Sequence, residues 1–156
     1  MAKPKPGKKF KYDLEAVLKV RKIRERQEQE KFAEKSREFR KEKDEEDKIK
    51  THKLTEEERI RTVFTEKKPM KDFSEVLRRH AHLKIVKEDL DKQIEKVIEA
   101  SRALEEQREK LVETMKDKKI MEKNKEHRLD DYKHMMQNLE IKFLDEIATQ
   151  RFGHQK

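Results

Sequence analysis

Every seventh residue from Val76 reads Val76, Leu83, Leu90, Val97, Leu104, Leu111, Lys118, Lys125, Tyr132, Leu139 and Glu146, apolar at eight of 11 positions. A second series from Phe73 runs through His80, Lys87, Ile94, Ser101, Arg108, Met115, Glu122, Leu129, Met136, Phe143 and Gln150, apolar at six of 12. The two series alternate by three and four, the repeat of a helix that offers an a/d seam to a partner helix. The repeat lapses at Lys118, Glu122 and Lys125, with Ile120 and Met121 off register, as a stutter or local skip would leave it. An earlier stripe is thinner: Phe10, Leu14, Val17 and Leu18, then Phe32 and Phe39 one heptad apart. Between Arg40 and Arg59 only Ile49 and Leu54 are apolar.

Breakers divide the chain into two arms. Pro4, Pro6 and Gly7 make residues 1–9 a flexible basic tail, and Asp13 is the expected N-cap of the first arm. No Gly or Pro follows until Pro69, where Lys68 is biased away from helix. Asp72 with Glu75 gives a capping-box-like restart, and the second arm runs unbroken to Gly153, with 153–156 as a short tail. Thr55-x-x-Glu58 is a weaker boundary, at which the first arm would end near Thr51 and a short helix would follow. The pattern therefore predicts an all-α fold, a long two-helix antiparallel coiled-coil hairpin over residues 10–152. Arm one covers about 13–66, the tip lies within about 51–72, and arm two covers about 73–152.

The arms are unequal. At 1.5 Å per residue the second spans roughly 120 Å and the first roughly 80 Å. Folding about Pro69 sets Phe10 near Leu129, so the hairpin has an overhanging C-terminal helix. That overhang is the richest apolar stretch: ten of the 21 residues from Tyr132 to Phe152, against two of 20 between Arg40 and Arg59. A monomer normally avoids exposing such a patch. Either the chain associates with itself through this surface or it docks onto another protein, and docking is the preferred reading.

Composition narrows the function. Of 156 residues, 43 are Lys or Arg and 35 are Asp or Glu, and hydrophobic residues make up 31%, too few for a two-layer core. No run approaches the roughly 18 apolar residues of a membrane span, and the basic start is not followed by an apolar segment, so neither direct membrane insertion nor a secretory signal is expected. The absence of cysteine removes disulfides and thiolate chemistry. A net charge of +8 invites a nucleic-acid reading, but five of those charges are lysines of residues 1–12 and the remainder is finely mixed, so no nucleic-acid partner is expected. His80 and His82 stand two apart and point to opposite sides of a helix; His127 and His134 are separated by about 10 Å of axial rise. Asp44–Asp47 lacks the glycine and the ligand spacing of a calcium loop. No phosphate loop or nucleophile motif is present, so no enzyme activity, cofactor or metal is expected. Met115, Met121, Met135 and Met136 read first as fillers of the seam, and Met135 and Met136 also suit an adaptable binding face.

The opening Phe10-Lys-Tyr-Asp-Leu14-Glu-Ala-Val17-Leu18-Lys-Val-Arg21-Lys-Ile-Arg-Glu25, followed by Gln27, Glu28 and Ala33, resembles the start of the flagellar export protein FliJ family. The ending Leu144-Asp145-Glu146-Ile147-Ala148-Thr149-Gln150-Arg151-Phe152 resembles that family's C-terminal signature. The resemblance implies a non-enzymatic stalk of flagellar type III export, cytoplasmic and peripherally associated with the inner-membrane export apparatus at the flagellar base. It implies that the paired chain ends dock in the central pore of the hexameric export ATPase and promote its assembly. The hairpin end would contact the cytoplasmic domain of the export-gate membrane protein, and export chaperones would be further partners. Carried onto this chain, the ATPase-binding group is Phe10, Leu14, Val17, Leu18, Arg21, Met136, Leu139, Phe143, Leu144, Ile147, Gln150, Arg151 and Phe152. Phe64, Phe73, Leu77, His80 and Leu83 are the export-gate candidates. A stalk protein of a virulence-type secretion system and a generic self-associating coiled coil are the alternatives.

Overall fold

A computed structural model of the chain describes residues 9–65 and 73–153, with side chains for 9–63 and 73–152. Two long helices make up nearly all of it: α1, Glu15–Thr65, and α2, Phe73–Gly153, with no strand among the described residues. Both are rich in Glu, Lys and Arg, which lose little rotamer freedom in a helix, and neither contains proline. The predicted joint at Lys68–Pro69 and its cap Asp72 lie outside the described residues.

Two local expectations are corrected. Helix α1 begins two residues after Asp13, through a turn in which the Tyr12 carbonyl accepts the Glu15 N–H at 3.2 Å. It also continues through Thr55. The Thr51 and Thr55 hydroxyls donate back to the carbonyls of Asp47 and Thr51, each at 2.9 Å, so these threonines satisfy themselves mid-helix instead of capping a new one.

The chain forms two compact units, Gln27–Leu111 and Met1–Arg26 with Val112–Lys156. Within Gln27–Leu111 the helices pack antiparallel. The α2 seam uses the series Val76, Leu83, Leu90, Val97, Leu104 and Leu111, none of them exposed. Its companion is not the series from Phe73 but the one three residues after Val76: Arg79, Val86, Gln93, Ala100 and Gln107, also none exposed. Of the expected companion series, Phe73, His80, Lys87, Ser101 and Arg108 are exposed. The physical reason is polar. Gln93 and Gln107 are 6% and 9% exposed, and they insert because α1 supplies acceptors for them. Gln93 Nε2 donates to the Glu42 carbonyl at 3.0 Å and to Glu42 Oε2 at 2.7 Å. Gln107 Nε2 makes the same pair of bonds to the Glu28 carbonyl and Oε2. Both pairs are centred on about residue 68, as antiparallel folding about the predicted joint requires.

The α1 side of this seam also follows heptads, but largely with charge. Phe32, Phe39, Glu46, Lys53 and Ile60 form one row, and Glu28, Lys35, Glu42, Ile49 and Glu56 the other; none is exposed. Glu46, 5% exposed, is held between Lys43 at 2.7 Å and Lys50. The apolar core is short: Ile60, Val76, Leu83, Val86 and Leu90, all between 4% and 8% exposed.

In the unit formed by Met1–Arg26 and Val112–Lys156, Leu18 is the most buried side chain at 2%, followed by Tyr12 at 6% and Glu25 at 7%. The Tyr12 hydroxyl donates to Asn124 Oδ1 at 2.9 Å and lies 3.4 Å from the Met121 carbonyl oxygen. The expected lapse at 118–125 is bridged by ion pairs, and just after it the companion row moves on by one residue, Arg128 being exposed and Leu129 half-buried. Lys118 Nζ reaches Glu25 at 2.8 Å, and Lys125 Nζ reaches Glu15 at 2.6 Å, so both lysines hold their places in the Val76 row. Met121 is half-buried between them, in register, while Ile120 is 65% exposed. Lysine suits such a place because its methylene stem covers apolar neighbours while the ammonium reaches the rim.

Candidate partner-binding face

All 13 candidate ATPase-binding residues fall in the unit made by the two chain ends. The structure sorts them by exposure. Leu18 is wholly internal, and Arg21 is committed to an ion pair with Asp117, so these two hold the unit together. Phe10 is half-buried, with its ring 5.6 Å from Tyr132 and tilted at 53°. This places Phe10 one helical turn beyond Leu129, the neighbour expected from the sequence. Leu14 and Val17 are 43% and 42% exposed, one turn apart on α1.

Beyond Tyr132 no described residue up to Phe152 is buried. Met136, Leu139 and Ile147 are half-buried and share one stripe. Phe143 is 62% exposed, Leu144 57% and Phe152 77%, with Gln150 and Arg151 also exposed. Phe143 and Phe152 are nine residues apart and project on opposite sides of the helix. With Ile141, 56% exposed, the apolar positions occupy more than half of the circumference. A helix lying on one flat surface needs a single stripe; apolar residues on most sides suit a helix that is surrounded.

Electrostatics keep the base of this segment in place. The hydrogen bond from Lys125 holds the Glu15 carboxyl below its usual range, and the bond to Glu25 raises the Lys118 ammonium. The Lys125 ammonium also lies 5.9 Å from the centre of the Tyr12 ring. Val20 and Ile23, 49% and 58% exposed, extend the apolar surface of α1; the sequence pattern passes over them because each is isolated among charges.

The export-gate candidates lie in the other unit, apart from Phe64, whose side chain is outside the described residues. Phe73 and Leu77 are 62% and 56% exposed and share a helical stripe with exposed His80. Leu83 is 7% exposed and belongs to the seam, so it is not available as a contact.

A family profile described as "Flagellar FliJ protein" matches residues 10–156. The chain belongs to the FliJ family. FliJ-family membership identifies it as a type III secretion-related stalk protein. No curated protein matches it in sequence. Among solved structures, a Chlamydia trachomatis protein described as a YscO homolog superposes with a TM-score of 0.55 at 24% identity, covering 95% of this chain and 100% of that one. That likeness concerns the fold alone. No described helix of the FliJ-family chain is long and apolar enough to cross a membrane.

Proposed function

We propose that this FliJ-family chain is a non-enzymatic stalk of the flagellar export apparatus whose end formed by the two chain termini docks in the central pore of the hexameric export ATPase and promotes its assembly. The single observation that carries this reading is the C-terminal part of α2, apolar on most of its circumference, with Phe143, Leu144 and Phe152 each more than half exposed. A ring of subunits is a partner that surrounds a helix. Leu14 and Val17 add to the docking surface, while Leu18 and Arg21 support it from within. Phe73, Leu77 and His80 are the contacts for the cytoplasmic domain of the export-gate protein, and export chaperones are further partners. The chain works in the cytoplasm, peripherally associated with the export apparatus at the inner membrane.

The test is addition of the purified chain to the export ATPase, reading hexamer formation and ATP turnover. Triple replacement of Leu144, Ile147 and Phe152 by serine removes the stimulation while far-UV helicity persists; undiminished stimulation overturns the reading. The same exposed face also favours a second reading, self-association. Light scattering decides it, since a monomer at micromolar concentration excludes it.

A further inference from the structure

In the unit Gln27–Leu111, antiparallel packing brings His82 not to His80 but to His52 on the other helix. The two Nε2 atoms are 3.3 Å apart, and the rings meet edge to face at 82°. Glu56 stands one turn after His52 on the same face of α1, and ligand atoms of all three residues lie within 4.8 Å of one another. Glu56 is 5% exposed, whereas both histidines are exposed. Arg59 Nη1 bonds Glu56 Oε1 at 2.6 Å and so orients the carboxylate, the part an outer-shell group plays at metal sites.

The spacing fits a shared metal ion. Two imidazole nitrogens at 2.0–2.1 Å from a tetrahedral Zn2+ ion stand about 3.3 Å from each other. Two His and one Glu form a familiar three-residue zinc set, with the fourth position left to water. Of the nearby cations, Lys48 is paired with Glu45 at 2.6 Å and Arg79 with Glu75 at 2.7 Å, while Arg59 shares the Glu56 carboxylate with the ion. We propose that His52, Glu56 and His82 bind a divalent transition-metal ion of the zinc type and thereby staple α1 to α2 within this unit. The staple sits beside the short apolar core of Val76, Leu83 and Val86, and on the Glu46–Ile60 stretch where α1 supplies little apolar material of its own.

The experiment uses the untagged full chain. Titration with Co2+ yields visible bands of a four-coordinate ion saturating at one equivalent, and Zn2+ displaces them. Zn2+ at about 100 times its dissociation constant raises the unfolding midpoint by roughly 5–10 °C. His52→Gln and His82→Gln each weaken binding about 100-fold and Glu56→Gln about tenfold, with helicity retained, while His80→Gln leaves affinity unchanged. The proposal is overturned if no stoichiometric uptake occurs, leaving a plain imidazole–imidazole hydrogen bond. Equal binding by wild type, His52→Gln and His82→Gln also overturns it, since it identifies scattered surface histidines.

Discussion

Replacement of Leu18 by alanine separates the structural reading of the chain ends from a purely recognitional one. Leu18 is 2% exposed, so the change deletes a fully buried side chain and leaves a cavity against α2. Loss of transfer energy plus cavity amounts to about 3 kcal/mol. Leu14, one turn earlier, is 43% exposed, so its truncation forfeits only about 1 kcal/mol. With a urea dependence of about 2 kcal/mol per molar, the Leu18→Ala midpoint falls by about 1.5 M and the Leu14→Ala midpoint by about 0.5 M. Far-UV circular dichroism across a urea titration reads both. Export-ATPase stimulation shows the complementary pattern at concentrations where both variants are folded: Leu14→Ala loses it in part, and Leu18→Ala retains it. A Leu18→Ala protein with an unmoved midpoint and lost stimulation refutes the argument, because Leu18 would then face the partner.

Three further outcomes follow from single contacts. Tyr12→Phe removes the hydroxyl bond to Asn124 and costs about 1 kcal/mol, measured by calorimetric unfolding. Lys118→Ala leaves the Glu25 carboxylate, 7% exposed, without its ammonium and costs about 1–3 kcal/mol, whereas Lys118→Arg recovers most of that in the same melt. Hydrogen bonds from lysines hold Glu15, Glu28, Glu45 and Glu46 below the usual carboxylate value of 4.5. Since the folded values are the lower ones, these groups contribute stability that is full above about pH 4.5 and is lost as pH falls through their folded values. Melting temperature therefore drops from pH 5 to pH 3; a flat profile over that interval contradicts the pairing.

The fold was legible because α2 keeps one apolar row, Val76 to Leu111, and because no glycine or proline interrupts either helix. The α1 side of the seam was not legible. Its heptad places are filled by Glu28, Lys35, Glu42, Glu46 and Lys53, whose stems bury while their heads pair, and a search for apolar periodicity passes over them. The same blindness makes Lys118 and Lys125 read as gaps in the Val76 row, which they fill as ion-paired members, while the skip itself falls just after them at Arg128 and Leu129. It also put the companion row on Ile94 and Met115 instead of Gln93, Ala100 and Gln107, because an amide facing a carboxylate carries no hydrophobic signal. Of the candidate face, the exposed Phe143, Leu144 and Phe152 follow from chain-length arithmetic, but the internal place of Leu18 depends on which side of α1 meets Tyr12 and α2. The meeting of His52 with His82 depends on register across the pair, which no local spacing encodes.

The two amide layers of Gln27–Leu111 have a mechanical consequence. Gln93 with Glu42 and Gln107 with Glu28 are spaced 14 residues apart on both helices, so they act as matching graduations on two rulers. Sliding α1 past α2 by one heptad sets Gln93 against Ile49 and Gln107 against Lys35, neither of which has a side-chain oxygen to accept an amide proton. The next offset that restores both matches is a displacement of two heptads, about 20 Å of travel. Between those offsets a longitudinal load meets resistance from polar groups, not from a greasy and slippery contact. This part of the molecule therefore resists shear between its two helices.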